Sequence, residues 1–494
     1  MISLSKSANT ISINRLKKIN AKVGILGVGH HTYWDQFEGL REQLNEKLNT
    51  FEGIVKANLV ETVNFGISDC AETAYEIVLK IKRENLDLLF IDMVTYATSS
   101  AVAAIFREIN VPIVLVALQP QKAMDYQKAS THMQLFNDDI CAIPEFVNVA
   151  IRLGKPAPSI VIGTLHDDQT ALEEIHDYCQ IAKVLHELKN ARIGQMGHVL
   201  EAMLDMHTDP TLLTATFGCH IVQTEPVEVM KHYRETNPHE IDQYKKIITE
   251  FFDFPDPKSD PITEKLSAED LDTAAHVGVA LQKFITKKKL DGLAYYYEGE
   301  PDSELRKIVT NFIVGNSLLT AAGFPMCGEM DLKTCIAMMI MDRLEMGGSF
   351  AEFHPVDFNE GFVLVGHDGP HHINIADGKP VLRSLKKYHG KPGHGASVEF
   401  KIKDGPITML AIAQKADGKF KFIIAEGESR QGPIPPTGNT NTRGFFKPDV
   451  KTFLKRWFSE GPTHHFALGI GHRAETIKTI GNFLGIESVI IPAI

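Results

Sequence analysis

Two hydrophobic periods alternate through the first third of this chain, and that alternation restricts what it can fold into. Lys22–Gly27 (KVGILG), Leu86–Asp92 (LDLLFID) and Pro112–Ala117 (PIVLVA) are short apolar runs of strand length. Gln36–Thr50 and Ser99–Glu108 carry helical spacing between them. Strands taken in turn with helices predict a parallel sheet covered on both faces, with ligands beyond the carboxyl ends of the strands.

The same alternation resumes after Gly154, Pro156 and Pro158, which mark a boundary. Ala171–Leu188, Leu266–Lys288, Leu305–Ala322 and Lys333–Leu344 read as helices. Ala191–Met196, Cys219–Val222 and Asp291–Tyr297 read as strands. Near residue 348 the pattern changes. Phe362–Val365, Ala396–Ile402, Ile407–Ala413 and Phe420–Ala425 are strand-like, with turns at Lys403–Gly405 and Ala416–Gly418. The expected domains are 1–160 and 161–345, both α/β, and 346–494, β-rich. A chain of 494 residues exceeds one hydrophobic core, in keeping with several domains.

Charge and cysteine content narrow the function. A formal charge of −11 argues against a general nucleic-acid binder. The six cysteines form no C-x-x-C pair, which fits a reducing compartment. The first twenty residues lack a signal-peptide core, and no run approaches the about 18 apolar residues of a membrane span. The expectation is a cytoplasmic protein with no membrane partner.

Gly24–Gly29 follows a strand but lacks the G-x-G-x-x-G order and a placed acidic residue, so it gives little ground for a nicotinamide site. The residues after it, His30, His31, Thr32, Tyr33 and Trp34, stand where a ligand would meet the sheet. The richer chemistry lies later. Glu329 and Asp331 precede a helix, where capping is the plain explanation. Glu352 lies in a strand-like run, where burial is costly without a pair or a cation. Gly366–His372 (GHDGPHH) is a histidine-rich turn, and Gly461–Phe466 holds a second histidine pair. Two carboxylates with two histidines suit a divalent cation, Mn²⁺ first, with Co²⁺, Ni²⁺ or Mg²⁺ as competitors. Scattered buried histidines are the alternative reading, because these positions are far apart in sequence.

At these residues the chain resembles the L-arabinose isomerase and L-fucose isomerase-like family. Gly328–Thr334 (GEMDLKT) is similar to the family's G-E-G-D-x-K-T, with Met330 in place of glycine. Ser349–Glu352 (SFAE) resembles S-F-x-E-D, with Phe353 in place of aspartate. Gly366-His367 followed by Lys379–Leu382 resembles G-S-H with K-P-[IV]-L, one residue shorter. Gly461–His465 (GPTHH) resembles G-x-H-H with one residue added. Upstream, Arg192–Leu200 with Thr208-Asp209, and Val28–Tyr33, look like further family segments.

The resemblance implies two Rossmann-like doubly wound α/β domains followed by a C-terminal β-barrel-like domain. It implies Glu329, Glu352, His367 and His465 as metal ligands, with Glu329 and Glu352 also the acid/base pair. It implies a homo-oligomer (trimer-based, tetramer or hexamer) whose sites borrow N-terminal residues from a neighbour, so His30 and Thr32 are expected to contact substrate. Asp331 and His464 are candidates to orient substrate or ligands. His371 and His372 are expected to be structural or to lie at the rim. The activity implied is aldose–ketose isomerisation of a free sugar through an enediolate stabilised by the cation. The competing readings are another divalent-metal enzyme on a polyol (aldolase or hydrolase) and a non-catalytic sugar-binding protein. Lys391–Gly395 and Gly438–Arg443 are candidate cleft loops.

Overall fold

A computed structural model describes all residues except 1, 8–9, 200–201, 257–265, 297, 385–394, 436–439 and 492–494. Residues 391–394 and 438–439 of the two candidate cleft loops, and Tyr297, therefore lie outside the described residues. The chain divides into two compact units, Ile19–Glu187 and Met1–Lys18 with Leu188–Ile494.

In the Ile19–Glu187 unit, five strands form one parallel sheet. Its order is Glu61–Ser68, Lys22–Val28, Leu88–Asp92, Ile113–Gln119 and Ser159–Thr164. Every residue of Leu88–Asp92 and all but the first of Lys22–Val28 are buried, the signature of strands covered on both faces. Helices such as Leu40–Lys56 and Ala71–Ile81 turn apolar residues inward. The strand order reverses between Lys22–Val28 and Leu88–Asp92, which opens a crevice at their carboxyl ends. His30 leaves the first of these strands and Tyr96 follows the second. Their rings stack at 6.3 Å.

The larger unit carries two sheets that position the candidate site. Four parallel strands run in the order Met326–Cys327, Gly292–Tyr295, Arg192–Met196 and His220–Thr224. Six antiparallel strands close into a barrel. Around it run Gly347–Asp357, Phe362–His367, Thr440–Phe445, Phe420–Arg430, Gly405–Gln414 and Phe466–Ile470, and the last pairs back to the first. Closure leaves none of the six with a free edge. The strand Glu487–Ile491 adds to the outside in parallel, and Ala376–Ser384 pairs with Ala396–Ile402.

The helix Leu332–Arg343 packs against both sheets, and all of its residues are buried. That burial explains why its sequence shows no amphipathic period, and it forces its charged residues to find partners. Lys333 Nζ donates to the carbonyls of Asp205 at 3.0 Å and Met206 at 2.8 Å. Asp342 accepts from Arg15 and Arg343 and faces His372 Nε2 at 3.2 Å. These contacts hold the Asp342 carboxyl well below the usual range although burial opposes them.

Three local expectations are corrected or narrowed. Leu305–Ala322 is not one helix: Glu304–Thr310 ends where the Asn311 side chain bonds back to the Lys307 carbonyl, and Phe312–Ala321 starts afresh. The β-rich end also holds helices Val450–Ser459 and Ala474–Phe483. Of the two places expected for His371 and His372, burial fits the structural one and excludes the rim: they are 2% and 1% exposed. Burial lowers the His371 imidazole to about 3, so this ring is neutral. Among the described residues no helix is long and apolar enough to cross a membrane.

Candidate active site

Strand register assembles the first part of the site. Glu352 stands opposite Gly366, next to His367, and its neighbour Ala351 stands opposite Phe466, next to His465. Three adjacent barrel strands thus deliver a carboxylate and two imidazoles to one place. The Gly347–Asp357 strand shifts register after Phe353, a bulge of the kind found beside active sites. Phe350 lies two residues before Glu352, on the same face of the strand. Its buried ring stands 4.4 Å from His367 and 4.2 Å from His465, wedging the two imidazoles in place. Glu352 avoids the full cost of burial, with its side chain 31% exposed.

Glu329 arrives from the other sheet. The strand Met326–Cys327 ends in a tight turn in which Glu329 and Met330 both take left-handed backbone, φ 59° and 58°. Neither has a glycine's freedom there, so the turn holds strain in place. The turn brings Glu329 Oε2 to 3.3 Å from His465 Nε2 and 3.9 Å from His464 Nε2. Asp331 next to it does cap the helix Leu332–Arg343, through the Thr334 N–H at 3.1 Å. Its second oxygen also faces His465 Nδ1 at 3.4 Å.

The hydrogen bonds fix the tautomers. The Asp368 carbonyl can only accept, so His367 Nδ1 carries the proton in their 2.7 Å contact and Nε2 keeps its lone pair. Burial would raise the Asp331 carboxyl, but the His465 hydrogen bond and the Lys333 charge hold it down at about 2. As a carboxylate it accepts from His465 Nδ1–H, which leaves His465 Nε2 bare. That atom and Glu329 Oε2 are buried without a hydrogen-bond partner. Orphaned acceptors of this kind are what a cation satisfies, and the carboxylate behind the imidazole is the usual support for a ligand histidine.

The structure draws the four expected metal ligands into two overlapping groups rather than one. Glu352, His367 and His465 form the first; Glu329, His464 and His465 form the second. Within each group the ligand atoms lie within 4.8 Å of one another, and His465 joins the two. His464 is tied down by Asp205, which accepts from its backbone N–H at 2.9 Å and meets its Nδ1 at 2.7 Å. Burial would lower the His464 imidazole, but the Glu329 and Asp205 carboxylates outweigh it and raise it to about 9. Asp205 and Phe350 escaped the sequence reading as site residues. Asp205 lies in a short turn with no motif, and Phe350 reads as core. His30 and Thr32 belong to the other unit, where His30 Nδ1 and Thr32 Oγ1 meet at 2.8 Å beside the sheet crevice.

A profile of the L-fucose isomerase C-terminal domain matches residues 382–491, a span that includes His464, His465 and four barrel strands. L-arabinose isomerase 1 of Bacillus licheniformis is 20% identical over 391 residues, covering 78% of this chain and 76% of its own. The L-arabinose isomerase of Aeromonas hydrophila is 22% identical over 362 residues, covering 70% and 69%. That of Mannheimia succiniciproducens is 20% identical over 460 residues, covering 92% and 89%. Together these matches support an arabinose/fucose isomerase-like family for this chain. The same matches support a sugar isomerase, an enzyme that interconverts an aldose and a ketose. The Mannheimia relative aligns over 92% of the chain, a span long enough to take in Glu329, Glu352 and His367 as well as most of the part matched by the profile.

Proposed function

We propose that this isomerase is metal-dependent and acts on a free sugar, with Glu329 and Glu352 as its acid/base pair. The observation that carries the reading is the convergence of two glutamates on His465, each with a further histidine beside it. Glu329, Glu352, His367 and His465 would hold a divalent cation, Mn²⁺ by the hardness of a carboxylate and imidazole set. When bound, that ion supplies positive charge to the two sugar oxygens on which negative charge develops.

The side chains do the rest. Isomerisation removes the proton from C2 of the aldose and leaves the electron pair in a C1=C2 enediolate. It then delivers a proton to C1 and redistributes those on O1 and O2. One glutamate takes the C–H proton while the other serves the oxygens. Glu329 is buried at 6% exposure, which shields it from bulk water. Glu352 faces the open side. His464, clamped by Asp205, turns its Nε2 toward Glu329 and is placed to hydrogen-bond a sugar oxygen. Asp331 and Asp368 act from behind, holding His465 and His367 in the ligand tautomer. Under this reading His30 and Thr32 reach substrate from a neighbouring subunit of a homo-oligomer.

The test is a panel of aldoses and ketoses incubated with EDTA-treated and Mn²⁺-restored enzyme, with products read by NMR. Isomer formation that vanishes with EDTA and returns with Mn²⁺ supports the proposal. Full turnover after complete metal removal refutes the metal role. Cleavage of the carbon chain would favour an aldolase instead.

A further inference from the structure

We propose that Met330 decides which sugars this enzyme accepts, by forming the apolar wall of a pocket for the end of the sugar remote from the isomerised carbons. The inference rests on the isomerase reading of the Glu329 site. The four-stranded sheet reverses its strand order between Arg192–Met196 and Gly292–Tyr295. Ligands of such sheets bind where the order reverses, beyond the carboxyl ends. Those ends carry His198 and Tyr296, whose rings stand 4.2 Å apart.

A cavity of about 190 Å³ opens there, lined among others by His198, His207, Thr208, Met206, Met330 and Leu332. Two of its lining residues are chain neighbours of the site: Met330 directly follows Glu329, and Met206 directly follows Asp205, the partner of His464. A sugar whose first two carbons lie at Glu329 can extend its remaining carbons into this space.

The pocket is lined by two chemically different kinds of side chain. His198, His207 and Thr208 offer hydrogen bonds to secondary hydroxyls, and Thr208 Oγ1 is buried without a partner. Met206, Met330 and Leu332 offer none. No lysine or arginine lines the cavity among the described residues, so nothing there balances a phosphate or a carboxylate. A terminal hydroxymethyl pressed on these apolar side chains would lose its water without gaining a hydrogen bond. A terminal methyl, or a chain one carbon shorter, meets no such penalty.

Met330 is the residue that makes this choice. Its φ of 58° is a conformation that L side chains rarely adopt, and it follows another such residue. A glycine would make the same turn without strain. A methionine held there at 5% exposure is accounted for by what its side chain does in the pocket.

The experiment compares wild type with Met330→Gly and Met330→Ala, all loaded with Mn²⁺. The panel is neutral aldopentoses, 6-deoxyaldohexoses, the matching aldohexoses and an aldohexose phosphate. Wild type is expected to favour the pentose and the 6-deoxy sugar over the matching hexose and to reject the phosphate. Met330→Gly is expected to raise the hexose relative to its 6-deoxy partner about tenfold in kcat/KM, chiefly through KM. It is also expected to unfold no earlier than wild type. Earlier unfolding overturns the strain argument, and Met330→Ala then carries the specificity test. An active wild type whose preference stays within about twofold in both variants, or which prefers the phosphate, overturns the role of Met330 alone. A wild type that isomerises no sugar overturns the isomerase reading and this inference with it.

Discussion

Asp331 and His465 stand 134 positions apart in sequence, and Asp331 Oδ2 lies 3.4 Å from His465 Nδ1. The same carboxylate starts the helix Leu332–Arg343 by accepting from the Thr334 N–H and hydroxyl. One side chain therefore joins the start of a buried helix to the orientation of a candidate ligand. The two roles separate by substitution. Asn at position 331 still caps a helix but offers His465 no carboxylate, so Asp331→Asn is predicted to fold normally and weaken Mn²⁺ binding about 10–100-fold. Asp331→Ala should lose the cap as well, costing about 1 kcal/mol more. Calorimetric Mn²⁺ titration and denaturant unfolding of both variants check this. Equal Mn²⁺ affinity in wild type and Asp331→Asn would show that the contact does not tune the ligand.

Glu329→Gln keeps the size and shape of the side chain while removing its basicity. Turnover should fall about 10²–10⁴-fold with the unfolding midpoint unchanged. Wild-type rates in this variant would remove Glu329 from the proposed acid/base pair. The same comparison applies to Glu352→Gln, whose half-exposed position predicts even less effect on folding.

Asp205 clamps His464 through two atoms, so Asp205→Asn should leave the fold intact and free the ring to take other orientations. A loss of about tenfold or more in kcat/KM is expected. Unchanged kinetics would assign the Asp205–His464 pair to structure alone.

Much of the fold could be read from hydrophobic period. Ala396–Ile402 is a strand at the expected bounds, and Lys22–Val28 extends its prediction by one residue. The misses have physical causes. The helix Val450–Ser459 sits in a stretch dominated by strands and turns, although Asp449 caps it and Val450, Phe453 and Trp457 recur on one face. The break at Asn311 depends on a side chain competing for a backbone carbonyl, which apolar spacing does not register. For the candidate site, motifs pointed to Glu329, Glu352, His367 and His465 but not to the order in which they meet. That order comes from strand register across the barrel. Asp205 had no signal at all, because its role exists only through a contact with a residue 259 positions away.

The smaller unit holds a buried carboxyl that makes a separate prediction. Asp92 is 1% exposed and neither carboxylate oxygen has a hydrogen-bond partner. Burial pushes its carboxyl up to about 8 against the pull of Lys47, which is paired with Asp139. The unfolded chain releases this proton near 3.8 and the folded chain near 8. Between those values the folded state binds the extra proton, so stability falls as pH rises through the window and levels off above it. Asp92→Asn carries no such proton. It should flatten that decline and be more stable than wild type at pH 9 by at least about 1 kcal/mol. Denaturant titrations of the full chain from pH 5 to 9 check the sign. A wild-type stability that rises with pH across the window, unaltered in Asp92→Asn, would refute it.

Two glutamates and two histidines from separate strands and turns are proposed to grip one divalent ion. Crystals grown with saturating Mn²⁺ and measured for anomalous scattering test it directly. The account predicts a single strong peak contacted by Glu329, Glu352 and the Nε2 atoms of His367 and His465. A peak elsewhere, or none at these four side chains, would contradict it.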